Sequence, residues 1–386
     1  MDRIGLLTKG LDALEREVLG TPNCTACGAC VGFCPYIISV RDRVAGLEGC
    51  RKEEGRCYRF CPRSASGAGL ETAEGTAEKT ADGRGLGGDF AGDVRYVGPL
   101  GHVERAERGR AVLPQPDRQH GGVVSALVTQ AFRDGLIDAA VLTVSAHGLP
   151  ETVVASDEAQ VRAAAGSKFA VAPTVRLVNE VMKLGSRRLG IVALPCQATA
   201  LRKMSVLGGA ETPTIVFVVG LFCTWALGQA GWLSLLEGTL GGAGIRRVDI
   251  PPPPAEIMDL ELDDGRRLAL PLADVRAVIR DGCRVCTDMT SENADVSVGL
   301  VEGLEGWNTV LVRTPVGAAL VERALASGMV ETVPIEEERL AHLSVASLGK
   351  KRRALAEAER RRAEGDDSPY LERIAGWKER IDDDCR

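Results

Sequence analysis

The sequence is poor in aromatic residues and in histidine, and it contains no long apolar run. Aromatic side chains make up 4% of the 386 residues. The four histidines are His102, His120, His147 and His342. None of them has the spacing of metal ligands. No apolar run approaches the ~20 residues that span a bilayer, and the charged, amphipathic first segment does not resemble a secretory signal peptide. We therefore expect no histidine-based metal site, no membrane span and a location in the cytoplasm.

The motifs of hydrolytic and nucleotide-dependent enzymes are also missing. The sequence has no P-loop, no Ser-His-Asp array and no paired-carboxylate motif. It has no G-x-G-x-x-G turn followed by an acidic residue ~20 positions later, the pattern that seats a nicotinamide dinucleotide. Lys and Arg number 47 against 53 Asp and Glu, a formal net charge of −6, without a basic stripe. Hydrolysis and nucleic-acid binding are therefore not expected.

Cysteine, in contrast, is abundant and concentrated near the start of the sequence. Seven of the twelve cysteines fall within the first 61 residues, and the segment CTACGACVGFCPY opens the series. Its cysteines are Cys24, Cys27, Cys30 and Cys34. They follow the C-x2-C-x2-C-x3-C-P pattern of bacterial ferredoxins, whose thiolates hold iron–sulfur clusters. A disulfide framework is a poor alternative, because cysteines this close in sequence rarely pair with each other. Residues 1–63 are therefore predicted to form a small ferredoxin-like (α+β) iron–sulfur domain.

A second set of cysteines repeats this pattern incompletely. The segment GCRKEEGRCYRFCPR contains Cys50, Cys57 and Cys61, one cysteine fewer than a two-cluster ferredoxin needs. In the usual interleaving Cys61 completes the first cluster, which leaves Cys34, Cys50 and Cys57 for the second. The candidates for its fourth ligand are Glu53, Glu54, a water molecule and a cysteine from elsewhere. The site could instead hold a three-iron cluster or be empty.

The rest of the chain alternates between helical and strand-like segments. Residues 64–95 are rich in Gly, Ala, Thr and charge, and they are predicted to be a linker or surface insertion. Over residues 96–343, apolar residues at helical spacing, as in HGGVVSALVTQAFRDGLI, alternate with strand-like runs such as DAAVLTVSA and TPTIVFVVGLFC. This pattern predicts an α/β domain around a mostly parallel sheet, with a hairpin at Asp264-Gly265. Residues 344–386 predict a charged helical tail that packs over the domain or onto a partner subunit.

Four further cysteines stand at the ends of these predicted elements. Cys196 and Cys223 each follow a predicted strand, and Cys283 and Cys286 form a C-x2-C pair. Parallel strands deliver their carboxyl ends to one edge of a sheet, where the ligand sites of α/β folds lie. A C-x2-C pair at the same edge would complete a set of four thiolates. On spacing alone, the alternative is two inert core cysteines and a separate zinc or redox motif.

Seven motifs of the α/β region carry a family resemblance. In order, they are GGVVSALV, AAGSKF, PCQATALRKM, GLFC, GCRVCTD, ADVSVG and EGWNTVLVRT. Through these motifs the stretch from about Tyr96 to Val333 resembles the beta subunits of coenzyme F420-reducing hydrogenases and F420-linked dehydrogenases. That group includes F420-reducing subunits of formate dehydrogenases and relatives that reduce chlorophyll intermediates. The resemblance implies an FAD-binding α/β domain and a four-iron cluster ligated by the four cysteines of this domain.

The candidate flavin contacts lie in the same motifs. Gly121 and Gly122 precede a predicted helix, where backbone amides could approach a pyrophosphate without obstruction by a Cβ atom. Lys168 could place positive charge near a flavin phosphate or the N1/C2 edge of the ring. The full set of candidates is Gly121, Gly122, Ser125, Gly166, Ser167, Lys168, Pro195, Gln197, Trp307 and Thr309. Each also has a purely structural interpretation, such as a helix-entry turn, a solvated lysine or a buried tryptophan. His120 stands where the family more often has aspartate.

The resemblance implies an iron–sulfur flavoprotein subunit. In it, FAD exchanges a hydride with coenzyme F420, and two or three clusters relay single electrons to or from a partner. The expected partners are a hydrogenase, a formate dehydrogenase, a heterodisulfide reductase-like complex or ferredoxin, and no protein side chain needs to act as a catalytic acid. Two different functions stay open, namely a ferredoxin-dependent reductase of an organic ring and an electron-transfer module without flavin.

Overall fold

The computed structural model describes most of the chain. The described residues are 10–47, 50, 52–66, 97–112, 119–146, 148–185, 187–207, 214–252 and 254–384. The predicted linker or insertion therefore lies outside the described residues, except for residues 64–66. Ser64 and Ser66 are buried, so the first unit extends slightly beyond residue 63.

The first unit is small and is built around cysteine side chains. Its elements are α1 (Leu11–Leu14), a π-helical turn (Glu15–Leu19), β1 (Ile37–Val40), β2 (Arg43–Gly46) and α2 (Arg56–Arg59). β1 and β2 pair antiparallel. Leu14, Val18 and Tyr58 form its core together with several cysteines, and the Tyr58 hydroxyl donates to Glu17 Oε2 at 2.5 Å. A unit of this size buries little apolar surface, so it depends on additional links for stability.

The larger domain alternates strands and helices. Its first elements are β3 (Arg105–Ala111), α3 (Val123–Arg133), β4 (Ala139–Ala146), β5 (Leu149–Ala155), α4 (Glu158–Ala163), α5 (Thr174–Lys183), β6 (Arg188–Ala193), α6 (Pro195–Leu207) and β7 (Thr214–Leu221). Then follow α7 (Gln229–Leu236), β8 (Ile245–Asp249), β9 (Ile257–Leu262), β10 (Arg267–Pro271), α8 (Leu272–Ala277), α9 (Asp281–Arg284), β11 (Val296–Leu300), β12 (Asn308–Val312), α10 (Pro315–Ala326) and β13 (Val330–Pro334). The helix and strands quoted from the sequence correspond to α3, β4 and β7.

Eight of these strands form one mixed sheet in the order β13-β3-β12-β11-β7-β6-β4-β5. β4, β6, β7 and β11 are mutually parallel, as their apolar sequences predict. The flanking pairings are antiparallel, so the expected mostly parallel sheet is parallel only at its centre. Short connections explain two of these antiparallel pairings, β4 with β5 and β11 with β12. β4 and β5 are separated by two residues and β11 and β12 by seven, too few for the crossover of a dozen or more residues that parallel pairing requires.

Helices cover both faces of the sheet. On one face α3 and α10 pack on strand residues such as Val298 and Val310. On the other face α5 and α6 pack on residues such as Ile191 and Val218. These strands are therefore buried on both sides. The loops at the carboxyl ends of the parallel strands are the part of the sheet where side chains from several elements can meet.

β8, β9 and β10 follow β7 in the chain and form a smaller antiparallel sheet. The predicted hairpin is confirmed, because β9 and β10 pair on either side of Asp264-Gly265. Gly265 has φ +85°, a left-handed conformation that favours glycine. This sheet and the adjoining helices α7 and α8 share a core that includes Met258, Leu260 and Val275.

The chain ends in three helices. They are α11 (Glu337–Ala363), α12 (Pro369–Ala375) and α13 (Lys378–Asp383). The helical tail is thus confirmed, although its first helix begins before residue 344. Apolar residues of these helices, among them Leu355, Leu371 and Trp377, pack with Val285, which lies between the cysteines of the C-x2-C pair. Of the helices in the described ranges, none is both long and apolar enough to cross a membrane.

Candidate redox site

The first thiol group comprises Cys24, Cys27, Cys30 and Cys61. All four line one cavity, whose other walls are mainly apolar. Burial raises the pKa of Cys27 and of Cys30 well above the ordinary value, and the charges of neighbouring thiolates raise it further. Four unneutralised thiolates are unfavourable in such a place, whereas iron would neutralise their charge. The donor set and the enclosed cavity therefore fit an iron–sulfur cluster.

The loop that carries this group is held close to the larger domain. Gly28 has φ +90°, and a Cβ atom at this position would lie 2.6 Å from the backbone nitrogen of Arg176. Glycine is thus required both by the backbone conformation and by the contact with α5. In the same loop the Ala26 amide donates to Cys24 Sγ at 3.4 Å. Hydrogen bonds from backbone amides to sulfur stabilise negative charge on cluster ligands.

The second thiol group comprises Cys34, Cys50 and Cys57. Burial raises the pKa of Cys57 to about 11, and charges on the other two thiols act in the same direction. Glu53 and Glu54, two candidates for a fourth ligand, are exposed, and Glu54 pairs with Arg59 at 3.6 Å. The structure thus brings together the three cysteines that the interleaved pattern leaves for a second cluster.

The third thiol group comprises Cys196, Cys223, Cys283 and Cys286. β6 leads to Cys196 and β7 leads to Cys223, while α9 brings the C-x2-C pair to the same edge of the sheet. Burial raises the pKa of Cys196 to about 12, and charges on Cys286 and Cys283 add to the effect. Burial also raises the pKa of Cys223, and charges on all three other members add to it. Cysteines from three separate segments of the chain therefore interact at one place.

Cys286 has a different electrostatic environment from the other thiols. Burial raises its pKa, but the positive charges of Lys350 and Arg63 outweigh burial and hold the pKa below its ordinary value. Arg63 donates to the carbonyl oxygen of Gly282 at 2.8 Å and lies 4.0 Å from the centroid of the Tyr370 ring. This environment favours the thiolate, which is the form that ligates iron.

The first and third thiol groups are direct neighbours. Burial is the main cause of the raised pKa of Cys27, and the next is charge on Cys196. The Thr25 side chain hydrogen-bonds to Cys196 and lowers its pKa. A Cβ atom at Gly282 would lie 2.4 Å from the carbonyl oxygen of Cys24. The loops that carry the two groups are therefore in contact, with no space between them for even a methyl group.

The second thiol group adjoins the first, because Cys57 packs in the same core as Cys30 and Cys61. Charge on Cys57 accordingly contributes to the raised pKa of Cys30. The three groups thus form a row that leads from the small unit to the edge of the main sheet. Within the described ranges, no set of three Cys, His, Asp or Glu side chains has the spacing to hold a single metal ion. In an iron–sulfur cluster the cysteine sulfurs bind different irons, so the two kinds of site differ in geometry.

The Gly121-Gly122 pair stands at the start of α3, with Gly122 at φ +75°. A Cβ atom at Gly121 would lie 2.6 Å from Asn308 Oδ1 and 2.8 Å from the carbonyl oxygen of Gly109. Asn308 Oδ1 also accepts a hydrogen bond from the Val123 amide at 3.3 Å. The glycine pair therefore has a packing role against β3 and β12, independent of any role in binding a phosphate.

The Gly166–Lys168 loop lies beside this helix entry. Gln119 links the two, because its Oε1 accepts from the Ser167 amide at 2.8 Å and its Nε2 donates to Val248 O at 2.7 Å. The Lys168 ammonium donates to three nearby carbonyl oxygens at 2.5–2.9 Å. Burial lowers the pKa of Lys168 to about 8, whereas the carbonyl contacts favour the protonated form. The loop and the glycine pair are thus brought together, and Lys168 points to its own loop.

Two other candidates lie on or beside β12. The Trp307 ring is stacked by Arg108 and Arg110, whose guanidinium carbons lie 5.2 and 4.6 Å from its centroid. Thr309 is buried and its hydroxyl donates to Leu300 O at 3.2 Å. Both side chains therefore have structural partners, and Trp307 stays partly accessible at the same sheet edge as the glycine pair.

The remaining candidates have mixed surroundings. Pro195 and Cys196 line one cavity. Gln197, in contrast, is buried and donates to Ala172 O at 2.8 Å and to Thr174 Oγ1 at 3.0 Å, so it anchors the start of α6. Ser125, in the first turn of α3, is partly buried. Burial lowers the pKa of His120, which favours a neutral imidazole at the helix entry.

Sequence reasoning missed two kinds of residue at this site. Gln119 lies two residues before Gly121, and Asn308 lies between Trp307 and Thr309, but their role depends on contacts with distant segments. Lys350 and Tyr370 belong to the tail and reach the third thiol group only through tertiary packing. The spacing of apolar residues in α11 signals a buried face, but not which surface it covers.

Two parts of the chain match the family described as "Coenzyme F420 hydrogenase/dehydrogenase, beta subunit". Residues 107–179 match its N-terminal part, and residues 186–338 match its C-terminal part. This chain belongs to the coenzyme F420 hydrogenase/dehydrogenase beta subunit family. The resemblance carried by the seven motifs is thus confirmed. The matched parts include all four cysteines of the third thiol group, but neither the small first unit nor most of the tail.

The similarity of this F420 hydrogenase/dehydrogenase family member to individual proteins is consistent with its family membership. The chain is 31% identical to the coenzyme F420 hydrogenase subunit beta of Methanothermobacter thermautotrophicus, over 65% of this chain and 92% of that protein. It is 26% identical to the coenzyme F420-dependent sulfite reductase of Methanocaldococcus jannaschii, over 90% of this chain and 52% of that protein. A chain from the F420-reducing NiFe hydrogenase complex of Methanosarcina barkeri has a similar structure, with a TM-score of 0.64, 26% identity and coverage of 69% of this chain and 95% of that chain.

Proposed function

We propose that this protein is an F420-linked iron–sulfur flavoprotein subunit that exchanges a hydride with coenzyme F420 and passes single electrons to or from a partner protein. The observation that carries this proposal is the row of three thiol groups, in which Cys57 packs with Cys30 and Cys27 packs with Cys196. A continuous row suits electron transfer between a buried sheet edge and a partner. Metal sites that only stabilise the fold do not need to lie next to each other.

The third thiol group would hold the four-iron cluster nearest to the flavin. Its cysteines approach from two parallel strands and from the C-x2-C pair, at the edge where the glycine pair and Trp307 also lie. The first thiol group would hold a second cluster. The second thiol group is a candidate for a third, in which a ligand other than cysteine completes the set.

FAD would supply the conversion between two-electron hydride transfer and one-electron transfer, which clusters alone cannot perform. The residues that would bind it are those of the α3 entry, the Gly166–Lys168 loop and the Trp307 region. The amides at the α3 N-terminus suit a pyrophosphate. Lys168 places a positive charge at this edge. The two arginines stacked on Trp307 are paired with Glu336 and Glu331, so they add little net charge.

The comparisons support the carrier and the kind of partner. Relatives across most of the chain are named for coenzyme F420, and the similar solved chain is part of a multisubunit hydrogenase complex. We therefore infer that F420 is the hydride carrier and that the partner is another oxidoreductase subunit or ferredoxin. The sulfite reductase relative aligns with 90% of this chain, which favours a reductase-type complex for proteins that contain both units.

The carrier can be tested with the reconstituted full-length protein under anaerobic conditions. Reduced F420 is expected to bleach the flavin absorbance within seconds, whereas NADH and NADPH are expected to reduce it poorly, because no dinucleotide-binding turn is present. Rapid reduction by NADH without a response to F420 would contradict the carrier. Reduction of an organic ring substrate with ferredoxin as donor, and no response to reduced F420, would favour a ring reductase instead.

A further inference from the structure

Lys350 lies on α11, outside both matched parts of the family, and its side chain is buried. The ammonium donates to the carbonyl oxygen of Cys223 at 2.6 Å and to that of Asp288 at 2.7 Å. Cys223 is a member of the third thiol group, and Asp288 follows Cys286 by two residues. Lys350 therefore fixes a positive charge directly beside this group.

The charge of Lys350 has no carboxylate partner within ion-pair distance among the described residues. The neighbouring Lys351, in contrast, pairs with Glu292 Oε1 at 2.5 Å. The Asp288 carboxylate accepts hydrogen bonds from the Ser291 and Glu292 amides at 2.8 and 3.0 Å. An unpaired buried ammonium is unfavourable unless negative charge lies nearby. The thiolates of the third group are the main negative charge near this position, and the Asp288 carboxylate adds a smaller effect.

The electrostatics of the site agree with this pairing. Burial lowers the pKa of Lys350, but negative charge on Cys286 and Cys223 outweighs burial and raises the pKa above its ordinary value. In the opposite direction, Lys350 is the largest charge that lowers the pKa of Cys286 and of Cys223. The lysine and the thiols thus stabilise each other's charged forms.

We propose that Lys350 is a positioning residue that holds a fixed positive charge beside the third thiol group and so raises the reduction potential of the cluster bound there. The inference rests on the proposed function, because it requires an iron–sulfur cluster at these four thiols. When such a cluster accepts one electron, its net negative charge grows by one unit. A nearby cation stabilises the reduced form more than the oxidised form, and net charge is one of the quantities that set cluster potentials. Lys350 would therefore favour electron entry at this point of the row.

The test separates the effect of the Lys350 charge on the cluster potential from the effect of its hydrogen bonds. Lys350→Gln keeps a donor for the two carbonyl oxygens and removes the charge, whereas Lys350→Arg keeps both. The matched control is Lys378→Gln, which removes a positive charge from the same tail at an exposed pair with Glu359. The cluster potential is measured by redox titration of each full-length protein, followed by electron paramagnetic resonance. We expect the midpoint potential to shift to more negative values in Lys350→Gln alone, while Lys350→Arg and Lys378→Gln stay at the wild-type value.

Each other outcome also decides the question. Loss of the cluster in Lys350→Gln but not in Lys350→Arg would still support a requirement for positive charge. An unchanged potential in Lys350→Gln, an equal shift in Lys350→Arg, or loss of the cluster in both would overturn the inference and leave Lys350 as an anchor of the tail. The proposed function is tested separately, by the iron content and spectrum of the wild-type protein and by its response to reduced F420. The potential is measured without F420, so a failure of the carrier assignment does not affect it.

Discussion

Arg361, in the C-terminal helix α11, donates to Asn23 Oδ1 at 3.2 Å, one residue before Cys24. The same guanidinium donates to the carbonyl oxygen of Asp281 at 2.8 Å, in the helix that contains the first cysteine of the C-x2-C pair. Arg361 is buried, and Glu357 accepts its Nε hydrogen bond at 2.8 Å. One side chain of the tail therefore joins the loops of the first and third thiol groups, which stabilises the contact between the two units.

We expect Arg361→Met to destabilise the folded protein by ~2–4 kcal/mol, because it removes buried charge-assisted hydrogen bonds and leaves Glu357 without this partner. Thermal unfolding of the reconstituted protein under anaerobic conditions measures the effect as a lower midpoint. Arg352→Met is the matched control, since Arg352 is exposed on the same helix. Equal midpoints for the two variants would show that Arg361 does not stabilise this contact.

The iron and acid-labile sulfide content distinguishes the occupancy of the thiol groups. If the first and third groups hold four-iron clusters and the second is empty, we expect about eight irons per chain. Occupancy of the second group would raise the value to about eleven or twelve. A content near four after full reconstitution would contradict a cluster in either the first or the third group.

Cys283→Ser is expected to damage the cluster of the third thiol group and to leave the signal of the first group intact, because the ligands of the two groups come from separate parts of the chain. Flavin reduction by reduced F420 should persist while FAD stays bound, but transfer to a one-electron acceptor should collapse. Cys57→Ser is the converse control, because it removes a thiol from the second group and leaves all four thiols of the third group in place. Normal electron transfer in Cys283→Ser would exclude Cys283 as a necessary ligand.

The affinity for FAD is expected to depend on pH through Lys168. Its pKa is lowered to about 8 in the folded protein from 10.5, so its positive charge is present below about pH 8 and is lost as the pH rises through that value. If the charge supports FAD binding, the dissociation constant measured by fluorescence should increase between about pH 7 and about pH 9. Lys168→Gln should bind FAD more weakly and without this dependence. A wild-type dependence that persists in Lys168→Gln would assign the titration to another group.

Much of the α/β fold could be predicted from the sequence. The apolar runs of β4 and β7 and the strand predicted before Cys196 indicated parallel strands, and the helical spacing before β4 predicted α3. The antiparallel flanks of the sheet were not predicted. The antiparallel pairings of β4 with β5 and of β11 with β12 follow from short connections, whose lengths were not known while the strand ends were uncertain. The pairings of β3 join strands that are distant in sequence, so they depend on the whole fold. The tail was predicted as helical, but its burial over Val285 was not.

For the candidate site, the sequence by itself determined which cysteines are candidate ligands. Spacing grouped the first seven cysteines, and ordered motifs indicated the four thiols of the larger domain and the family. Those are local patterns, since ligands a few residues apart must lie close in space. Only the tertiary structure decided which groups are neighbours, as Cys27 and Cys196 are, and which cations surround them. Lys350 and Arg361 are far in sequence from the thiols they approach. Their positions follow from the packing of the tail on the C-x2-C segment, because contacts between distant segments depend on how the whole chain folds.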